Sequence, residues 1–247
     1  MILLRRIIRF FAILVWFAIT GIYALIVGDG SKKGIKRITK ATMFWGAGNA
    51  RIINMNIKVV GDPGKIEGGI IVSNHLSYLD ILAHAAVFRL RFTPKADIAR
   101  WPFLGWFIYV SRPIWINRES KQTSHLTLQK YKETLEDGIN LIVYPEGTSS
   151  DGKGILPFKS TPFEAAVSGN FKIQPILTRY VQKPDEPTLC WYGGMTLVPH
   201  CWYVFGRKST EVEIHILEPV LPNGRNRKEL AKFVHDYMQE EYAKIAK

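Results

Sequence analysis

The chain has 247 residues, of which 47% are hydrophobic and 22% are charged. This length and balance predict one ordinary domain with a hydrophobic core, with room for an accessory segment, and exclude a disordered chain. The net charge of +12 is uneven, because residues 1–60 carry ten Lys and Arg side chains against one acid, Asp29. A nucleic-acid-binding protein is disfavoured, since this basic segment is also strongly apolar. Two cysteines, Cys190 and Cys201, are too few for a disulfide framework or a four-cysteine metal site.

The first predicted element is an apolar helix near the N-terminus. Nineteen uncharged residues separate Arg9 from Asp29, and as a helix they extend about 28 Å, close to the hydrocarbon thickness of a bilayer. A single membrane span and a re-entrant hairpin both fit this run, whereas a cleaved signal peptide fits less well because no small-residue cleavage motif follows. More basic residues follow the run than precede it, which predicts attachment to the cytoplasmic membrane with the following domain on the cytoplasmic side.

A basic amphipathic helix is predicted next. Ile35, Ile38, Thr42 and Trp45 recur at helical spacing, and the intervening cations fall mainly on the other side. Such cations attract anionic headgroups of membrane phospholipids, although a solvated face packed on the domain is the alternative. We therefore predict an N-terminal membrane-anchoring two-helix element over residues 1–60 and a separate domain over residues 61–247.

From residue 61 onward, short apolar runs alternate with helical patterns and Gly/Pro turns, which is typical of an α/β domain. A closing amphipathic helix is predicted after Asn226 and Glu229, which have the spacing of a capping box. The predicted strands are Ile70–Ser73, Ile139–Tyr144, Lys172–Leu177 and Glu211–Leu217, and the predicted internal helices are Leu79–Phe88, Ser124–Leu135 and Pro162–Val167.

The first candidate for chemistry is a histidine followed five residues later by an aspartate. His75 comes just after a predicted strand, and Asp80 lies near the start of the next predicted helix. Because residues five apart on one helix point about 140° away from each other, the two side chains meet only if His75 lies in the loop. Such a pair fixes the imidazole tautomer and leaves the other nitrogen as a general base. A buried structural histidine is the alternative, as is a metal pair of Asp80 with His84, for which no convincing third ligand follows.

Two other apolar stretches also end in polar residues. Glu146, Gly147 and Thr148 follow a predicted strand, and open α/β sheets bind ligands at such strand ends, although Pro and Gly mark turns anywhere. Arg118 ends another short apolar stretch, and its planar donor fork suits a phosphate. A surface arginine is the commoner explanation for any single one.

Taken in order, four segments resemble the four sequence blocks of the glycerolipid acyltransferases, the family of 1-acylglycerol-3-phosphate acyltransferases. They are NHLSYLD at residues 74–80, WINR at 115–118, YPEGTSS at 144–150 and IQPI at 173–176, and the resemblance spans about residues 65–220. It implies a mixed β-sheet flanked by helices, with residues 61–247 as the catalytic domain. It also implies transfer of a fatty acyl group from acyl-CoA or acyl-carrier protein to the sn-2 hydroxyl of lysophosphatidic acid, giving phosphatidic acid, with no metal or organic cofactor.

The same resemblance implies roles for individual residues. His75 is expected to deprotonate the acceptor hydroxyl, with Asp80 orienting it. Lys95 matches the family segment between the first two blocks and is expected to bind substrate. The expected binding residues for the glycerol phosphate are Arg118, Glu146, Gly147 and Thr148.

The chain departs from the family pattern at three positions. Ser149 stands where an arginine is frequent, and nearby Lys159 is the candidate replacement; Asp97 stands where a glutamate is usual, and Tyr144 is a conservative exchange for phenylalanine. The serine is similar to relatives that acylate lyso-ornithine lipid, so this acceptor stays an alternative. A membrane lipid-binding protein without turnover is the alternative from another class.

Overall fold

The computed structural model describes residues 1–66, 68–102, 104–116 and 121–245. Its centre is a six-stranded sheet in the order β1-β6-β5-β2-β4-β3. Neighbouring strands are parallel except β5 and β6, which are antiparallel. The strands are β1 (Met55–Val60), β2 (Ile70–Ser73), β3 (Leu90–Phe92), β4 (Asn140–Val143), β5 (Ile173–Val181) and β6 (Thr210–Ile216).

Helices cover both faces of this sheet, which confirms the predicted α/β fold with a mixed sheet. They are α1 (Ile2–Val27), α2 (Lys32–Ile52), α3 (Leu79–Val87), α4 (Leu104–Val110), α5 (Lys121–Glu136), α6 (Glu164–Gly169), α7 (Leu197–Gly206) and α8 (Arg227–Ile245). Every predicted strand and helix has a counterpart. Strand β5 runs four residues beyond its predicted end at Leu177.

Two hydrophobic layers lie on opposite faces of the sheet. Alternate residues of β2 separate them: Ile70 and Val72 join the layer beneath α5, α6 and α8, whereas Ile71 joins the layer beneath α2, α3 and α7. All four β2 residues are buried. This burial explains why β2 appears in the sequence as a continuous apolar run rather than as an alternating pattern.

The sheet begins earlier in the chain than the predicted domain boundary after residue 60. The predicted membrane element includes Met55–Val60, but these residues form the edge strand β1, which pairs with β6 from Met55↔Thr210 to Val60↔His215. Strand β1 alternates between covered and exposed positions, and its polar Asn56 and Lys58 face outward. The accessory segment in front of the sheet is therefore shorter than predicted.

The closing helix α8 begins with the predicted capping box. The side-chain Oδ1 of Asn226 accepts the backbone N–H of Glu229 at 3.1 Å, and Oε2 of Glu229 accepts the backbone N–H of Asn226 at 3.0 Å. These two bonds satisfy N–H groups that the first helical turn leaves without partners. The buried side of α8 consists of Leu230, Ala231, Val234, Met238 and Tyr242.

Helix α2 is amphipathic as predicted. Ile38, Thr42 and Trp45 are buried, and the lysines at positions 33, 36 and 40 are exposed. The buried side packs against α3, the helix that carries Asp80. The second N-terminal helix therefore forms part of the wall behind the candidate site.

Helix α1 is the apolar N-terminal helix. It is the one helix in the described ranges that is long and apolar enough to cross a membrane, a test that signal sequences also pass, and only 11% of its most apolar window is buried. Its arginines point to the protein: Arg5 Nη1 donates to the carbonyl of Gly206 at 2.8 Å, and Arg9 Nη1 donates to that of Arg207 at 2.7 Å. These carbonyls lie at the C-terminal end of α7, where a helix dipole favours cations.

Candidate active site

Three parallel strands bring the candidate residues to one edge of the sheet. Strand β4 lies between β2 and β3 and is parallel to both, so the three carboxyl ends lie side by side. His75 follows β2, Glu146 follows β4, and Lys95 follows β3. This edge is where open α/β sheets bind their ligands.

His75 and Asp80 form the hydrogen-bonded pair that their spacing predicts. The distance from His75 Nδ1 to Asp80 Oδ2 is 2.8 Å. His75 lies in the loop after β2, and Asp80 lies in the first turn of α3. The loop between them folds back over the carboxylate, because the backbone N–H groups of Leu76 and Ser77 donate to the same oxygen at 2.7 and 3.0 Å.

Asp80 is fully buried yet ionised. Burial raises the pKa of this carboxyl, but the hydrogen bond and charge of His75 oppose burial, and the pKa lies below its usual value. Its second oxygen, Oδ1, accepts a hydrogen bond from the hydroxyl of Tyr180 on β5. Since a carboxylate only accepts hydrogen bonds, the proton of the pair is on His75 Nδ1, and Nε2 is the nitrogen left to take a proton.

Glu146 has a different position from the one expected. Its Oε1 accepts the backbone N–H of His75 at 2.8 Å, and its Oε2 accepts that of Leu156 at 3.0 Å. Burial raises the pKa of Glu146 to about 7, and the side chain is 4% exposed. The expectation that Glu146 contacts the acceptor phosphate is therefore corrected: its carboxylate holds the loop that carries His75.

Further bonds fix the His75 backbone from the other side. The carbonyl of His75 accepts the backbone N–H of Ser150 at 2.8 Å. The side-chain amide of Asn74 forms two bonds with the backbone of Thr178 on β5, at 2.7 and 2.9 Å. The His75 loop is thus tied to β5 on one side of β2 and to the segment after β4 on the other.

The remaining candidate side chains line one cavity with His75. This cavity has a volume of about 630 Å³, and its lining includes Lys95, Gly147, Thr148 and Lys159. Apo sites for small ligands have volumes of this order. Arg118, the other predicted phosphate ligand, lies outside the described residues. The structure therefore brings together four of the predicted binding residues but not Glu146.

Most of the cavity wall is apolar and comes from the helices. Phe17 of α1, Trp45 of α2 and Phe107 of α4 form a cluster of aromatic rings, with centroids 4.2 to 5.5 Å apart, and all three line the cavity. Sequence reasoning placed α1 and α2 in a membrane element and missed their share in the site. No local signal marks it, because a membrane-facing side and a cavity-facing side of a helix have the same apolar composition.

Ser149 and Trp191 join two segments beside the cavity. The hydroxyl of Ser149 donates to the carbonyl of Trp191, and the backbone N–H of Trp191 donates to the carbonyl of Leu76 at 2.8 Å. The position where the family frequently has arginine therefore holds a loop in place. Both Ser149 and Trp191 also line the cavity.

The metal alternative is not supported by the arrangement of His84. Both of its ring nitrogens are already hydrogen-bonded, to Tyr144 and Thr178 at 2.8 Å each. Burial lowers the pKa of His84 to about 4, so the ring is neutral at physiological pH. The portion of the chain that the structure describes contains no group of three His, Cys, Asp or Glu side chains suited to hold a metal ion.

A family model described as "Acyltransferase" matches residues 56–179, the part of the chain that contains His75, Asp80 and Glu146. The chain therefore belongs to the acyltransferase family. Together with the relatives that follow, this match makes it an acyltransferase of the lysophospholipid type.

Relatives with two different acceptor names match this chain. The lyso-ornithine lipid O-acyltransferase of Brucella abortus is 30% identical over 74% of this chain and 74% of the relative. The 1-acyl-sn-glycerol-3-phosphate acyltransferase of Neisseria gonorrhoeae is 29% identical over 85% of this chain and 81% of the relative. The crystal structure of the 1-acyl-sn-glycerophosphate acyltransferase of Thermotoga maritima shares the fold, with a TM-score of 0.71 and 23% identity over 99% of this chain and 95% of that one.

Proposed function

We propose that the protein transfers a fatty acyl group from a thioester donor to the sn-2 hydroxyl of 1-acylglycerol-3-phosphate, giving phosphatidic acid. One observation carries this proposal: the His75–Asp80 pair opens onto a largely apolar cavity whose wall also contains Lys95 and Lys159. The apolar helices suit the acyl chains, and the two lysines suit an anionic headgroup. A general base in the same cavity suits a lipid hydroxyl.

In the proposed reaction, His75 Nε2 removes the proton of the acceptor hydroxyl as that oxygen attacks the thioester carbonyl. The new C–O bond forms, the C–S bond then breaks, and the imidazolium returns its proton to the departing thiolate. Asp80 stabilises the imidazolium by accepting the Nδ1 proton in a hydrogen bond and by its charge. Positioned proton transfer of this kind contributes about 10²- to 10⁴-fold in rate.

In the same proposal, the acceptor phosphate contacts Lys95, Lys159 and the turn at Gly147 and Thr148. All four residues line the cavity with His75. Arg118 is assigned to the same phosphate from its sequence block alone. The donor is acyl-CoA or acyl-carrier protein, and the chemistry needs no metal or organic cofactor because a thioester is already activated.

A second acceptor, lyso-ornithine lipid, is favoured by a separate observation. Ser149 replaces a frequent arginine, and its hydroxyl donates to the carbonyl of Trp191 instead of adding a cation to the cavity wall. A wall with one cation fewer suits an acceptor without a phosphate. Relatives carry each acceptor name, so both acceptors belong in the test.

The test is acyl transfer by the purified full chain and by its His75→Ala variant, with both acceptors and both thioester donors offered. We expect phosphatidic acid from the wild type and a loss of about 10²-fold or more in the variant, with folding preserved. Product from lyso-ornithine lipid alone overturns the proposed acceptor and keeps the mechanism. Equal turnover by the variant overturns the base, and no turnover with any pair supports a lipid-binding protein.

We also propose that the protein attaches to the cytoplasmic leaflet through α1 lying along the domain. Both ends of α1 contact the domain: Arg5 and Arg9 bond the end of α7, and Ala24 packs with Ile38 and Val110. The outward face is apolar and exposed at Phe11, Leu14, Val15, Ile19 and Ile22. The greater number of basic residues after the apolar run supports the cytoplasmic side.

Flotation with anionic vesicles tests this attachment. Replacing Phe11, Val15 and Ile22 together by serine is expected to release much of the protein, because it removes exposed apolar area. Leu126→Ser is the control, since that exposed side chain belongs to α5 on the opposite face of the sheet. An N-terminal tag protected from a protease that digests the catalytic domain would contradict α1 lying on one side.

A further inference from the structure

The proposed chemistry leaves one buried ionisable side chain near His75 without a role. His84 lies on α3, one turn after Asp80, and is completely buried. Its Nδ1 is 2.8 Å from the hydroxyl of Tyr144, and its Nε2 is 2.8 Å from Oγ1 of Thr178. A neutral imidazole has one donor and one acceptor nitrogen, so both bonds are satisfied in one tautomer.

Tyr144 connects this histidine to His75. The phenol ring of Tyr144 stacks on the imidazole of His75, with centroids 4.3 Å apart and planes 27° apart. The same phenol reaches His84 with its hydroxyl. Tyr144 is thus in contact with the proposed base on its ring face and with a fully buried partner at its far end.

The hydrogen bonds form a chain around His75. Because a phenol is a better proton donor than a neutral imidazole, Tyr144 donates to Nδ1 of His84, and Nε2–H donates to Thr178. Thr178 Oγ1 is 3.4 Å from Oγ of Ser73, which in turn donates to the carbonyl of Asn74 at 2.8 Å. The chain begins under the ring of His75 and ends at the residue that precedes it.

We propose that Tyr144 and His84 are a matched pair of positioning residues that hold the plane of the His75 imidazole. The bond from His75 Nδ1 to Asp80 fixes one point of the ring but leaves the ring free to tilt about that bond. The Tyr144 face removes this freedom, and His84 keeps the Tyr144 face in place. The inference rests on the proposed role of His75 as the base.

Because of these contacts, the exchange of phenylalanine for Tyr144 is not conservative in this protein. A phenylalanine keeps the ring but leaves Nδ1 of His84 buried without a partner, which is costly for a polar group. The hydroxyl and the histidine therefore belong together. Replacing both with apolar side chains leaves no unpaired group between positions 144 and 84, whereas replacing either one does leave such a group. Thr178 Oγ1 loses His84 in the double variant but keeps its neighbour Ser73 Oγ.

The test compares Tyr144→Phe, His84→Leu and the double variant as full chains, with activity expressed per folded molecule. Each single variant is expected to lower kcat about tenfold, within the loss that small misplacements of reacting groups cause. KM for both substrates is expected to stay within about twofold, since neither change removes a proposed headgroup contact. The double variant is expected to recover to within about threefold of the wild type, because apolar packing replaces the hydrogen bond.

Tyr242→Phe is the matched control. Tyr242 is a buried tyrosine whose hydroxyl donates to the carbonyl of Gly152 at 2.8 Å, but its ring does not stack on His75. This variant removes an equivalent hydrogen bond and is expected to leave kcat unchanged. If His84→Leu fails to fold, Tyr144→Phe still provides the test, because it conserves the ring.

Three results would overturn the inference. Single variants that are less stable but keep wild-type kcat would give the pair a purely structural role. Losses in the double variant that multiply would make the two residues independent. A drop in kcat for Tyr242→Phe equal to that for Tyr144→Phe would make the effect unspecific. His75→Ala distinguishes failure of this inference from failure of the proposed function: if that variant stays active, His75 is not the base.

Discussion

Asp80→Asn provides the sharpest test of the proposed base. The substitution keeps the size of the side chain and removes its charge. The backbone N–H groups of Leu76 and Ser77 both point at Oδ2, so the amide oxygen of the new side chain takes that place and its NH₂ group faces Tyr180. His75 therefore keeps its hydrogen-bonded tautomer and loses only the negative charge beside it.

The size of the effect follows from the distance. His75 Nδ1 and Asp80 Oδ2 are 2.8 Å apart, which puts the centres of the two charges about 4 Å apart when the imidazolium forms. At the effective dielectric constant of protein sites, two such charges attract by about 4 kcal/mol. Loss of that attraction in the transition state lowers kcat by about 10³-fold.

The assay is release of free thiol from the donor by the purified wild type and variant, with circular dichroism to confirm folding. Asp80→Ala is the contrasting variant, because it leaves the N–H groups of Leu76 and Ser77 without an acceptor and is expected to destabilise the fold. An Asp80→Asn enzyme that keeps more than a tenth of wild-type kcat would refute the charge argument.

Three other predictions follow from described contacts. In Glu146 the pKa rises from 4.5 to about 7 on folding, so its stabilising contribution is greatest below pH 4.5 and is lost as the pH rises through 7. The difference in unfolding free energy between the wild type and Glu146→Gln should therefore fall by about 3 kcal/mol between pH 4.5 and pH 7 in denaturant titrations. A difference that stays constant with pH would contradict the raised pKa of Glu146. Arg9→Gln should lower the unfolding free energy by about 1 kcal/mol, because partly buried carbonyls at the end of α7 lose a charged donor; unchanged stability would show that this contact does not stabilise the fold. Lys95→Ala should raise KM for an anionic acceptor and leave KM for the donor unchanged, and equal increases would remove Lys95 from the headgroup site.

The parts of the site that the sequence predicts are the local ones. His75 and Asp80 are five residues apart, and a strand, a loop and a helix start are enough to bring them together. Lys95 and Thr148 were found through their sequence blocks, and the parallel order of β2, β4 and β3 brings their strand ends to one edge.

The parts that the sequence does not predict depend on contacts between distant segments. Glu146 bonds the backbone of His75 across 71 positions, and Tyr180 bonds Asp80 across 100. The sequence alone does not distinguish a carboxylate that accepts backbone N–H groups from one that binds a ligand. The edge strand β1 has a local signal, since Asn56 and Lys58 alternate with apolar residues, but its partner β6 is 155 residues away and the Gly/Pro turn after residue 60 marks a more obvious boundary.

The residues that support His75 are different from those that face the cavity, and this separation has a consequence for acceptor choice. Asp80, Glu146 and the Asn74–Thr178 contact are buried and support the base, whereas Lys95 and Thr148 face the cavity. Under the proposed mechanism, exchanging wall residues would therefore change the headgroup contact and leave the buried support of His75 intact. Relatives that carry two different acceptor names match this chain at 30% and 29% identity, which is compatible with acceptor choice that depends on few positions.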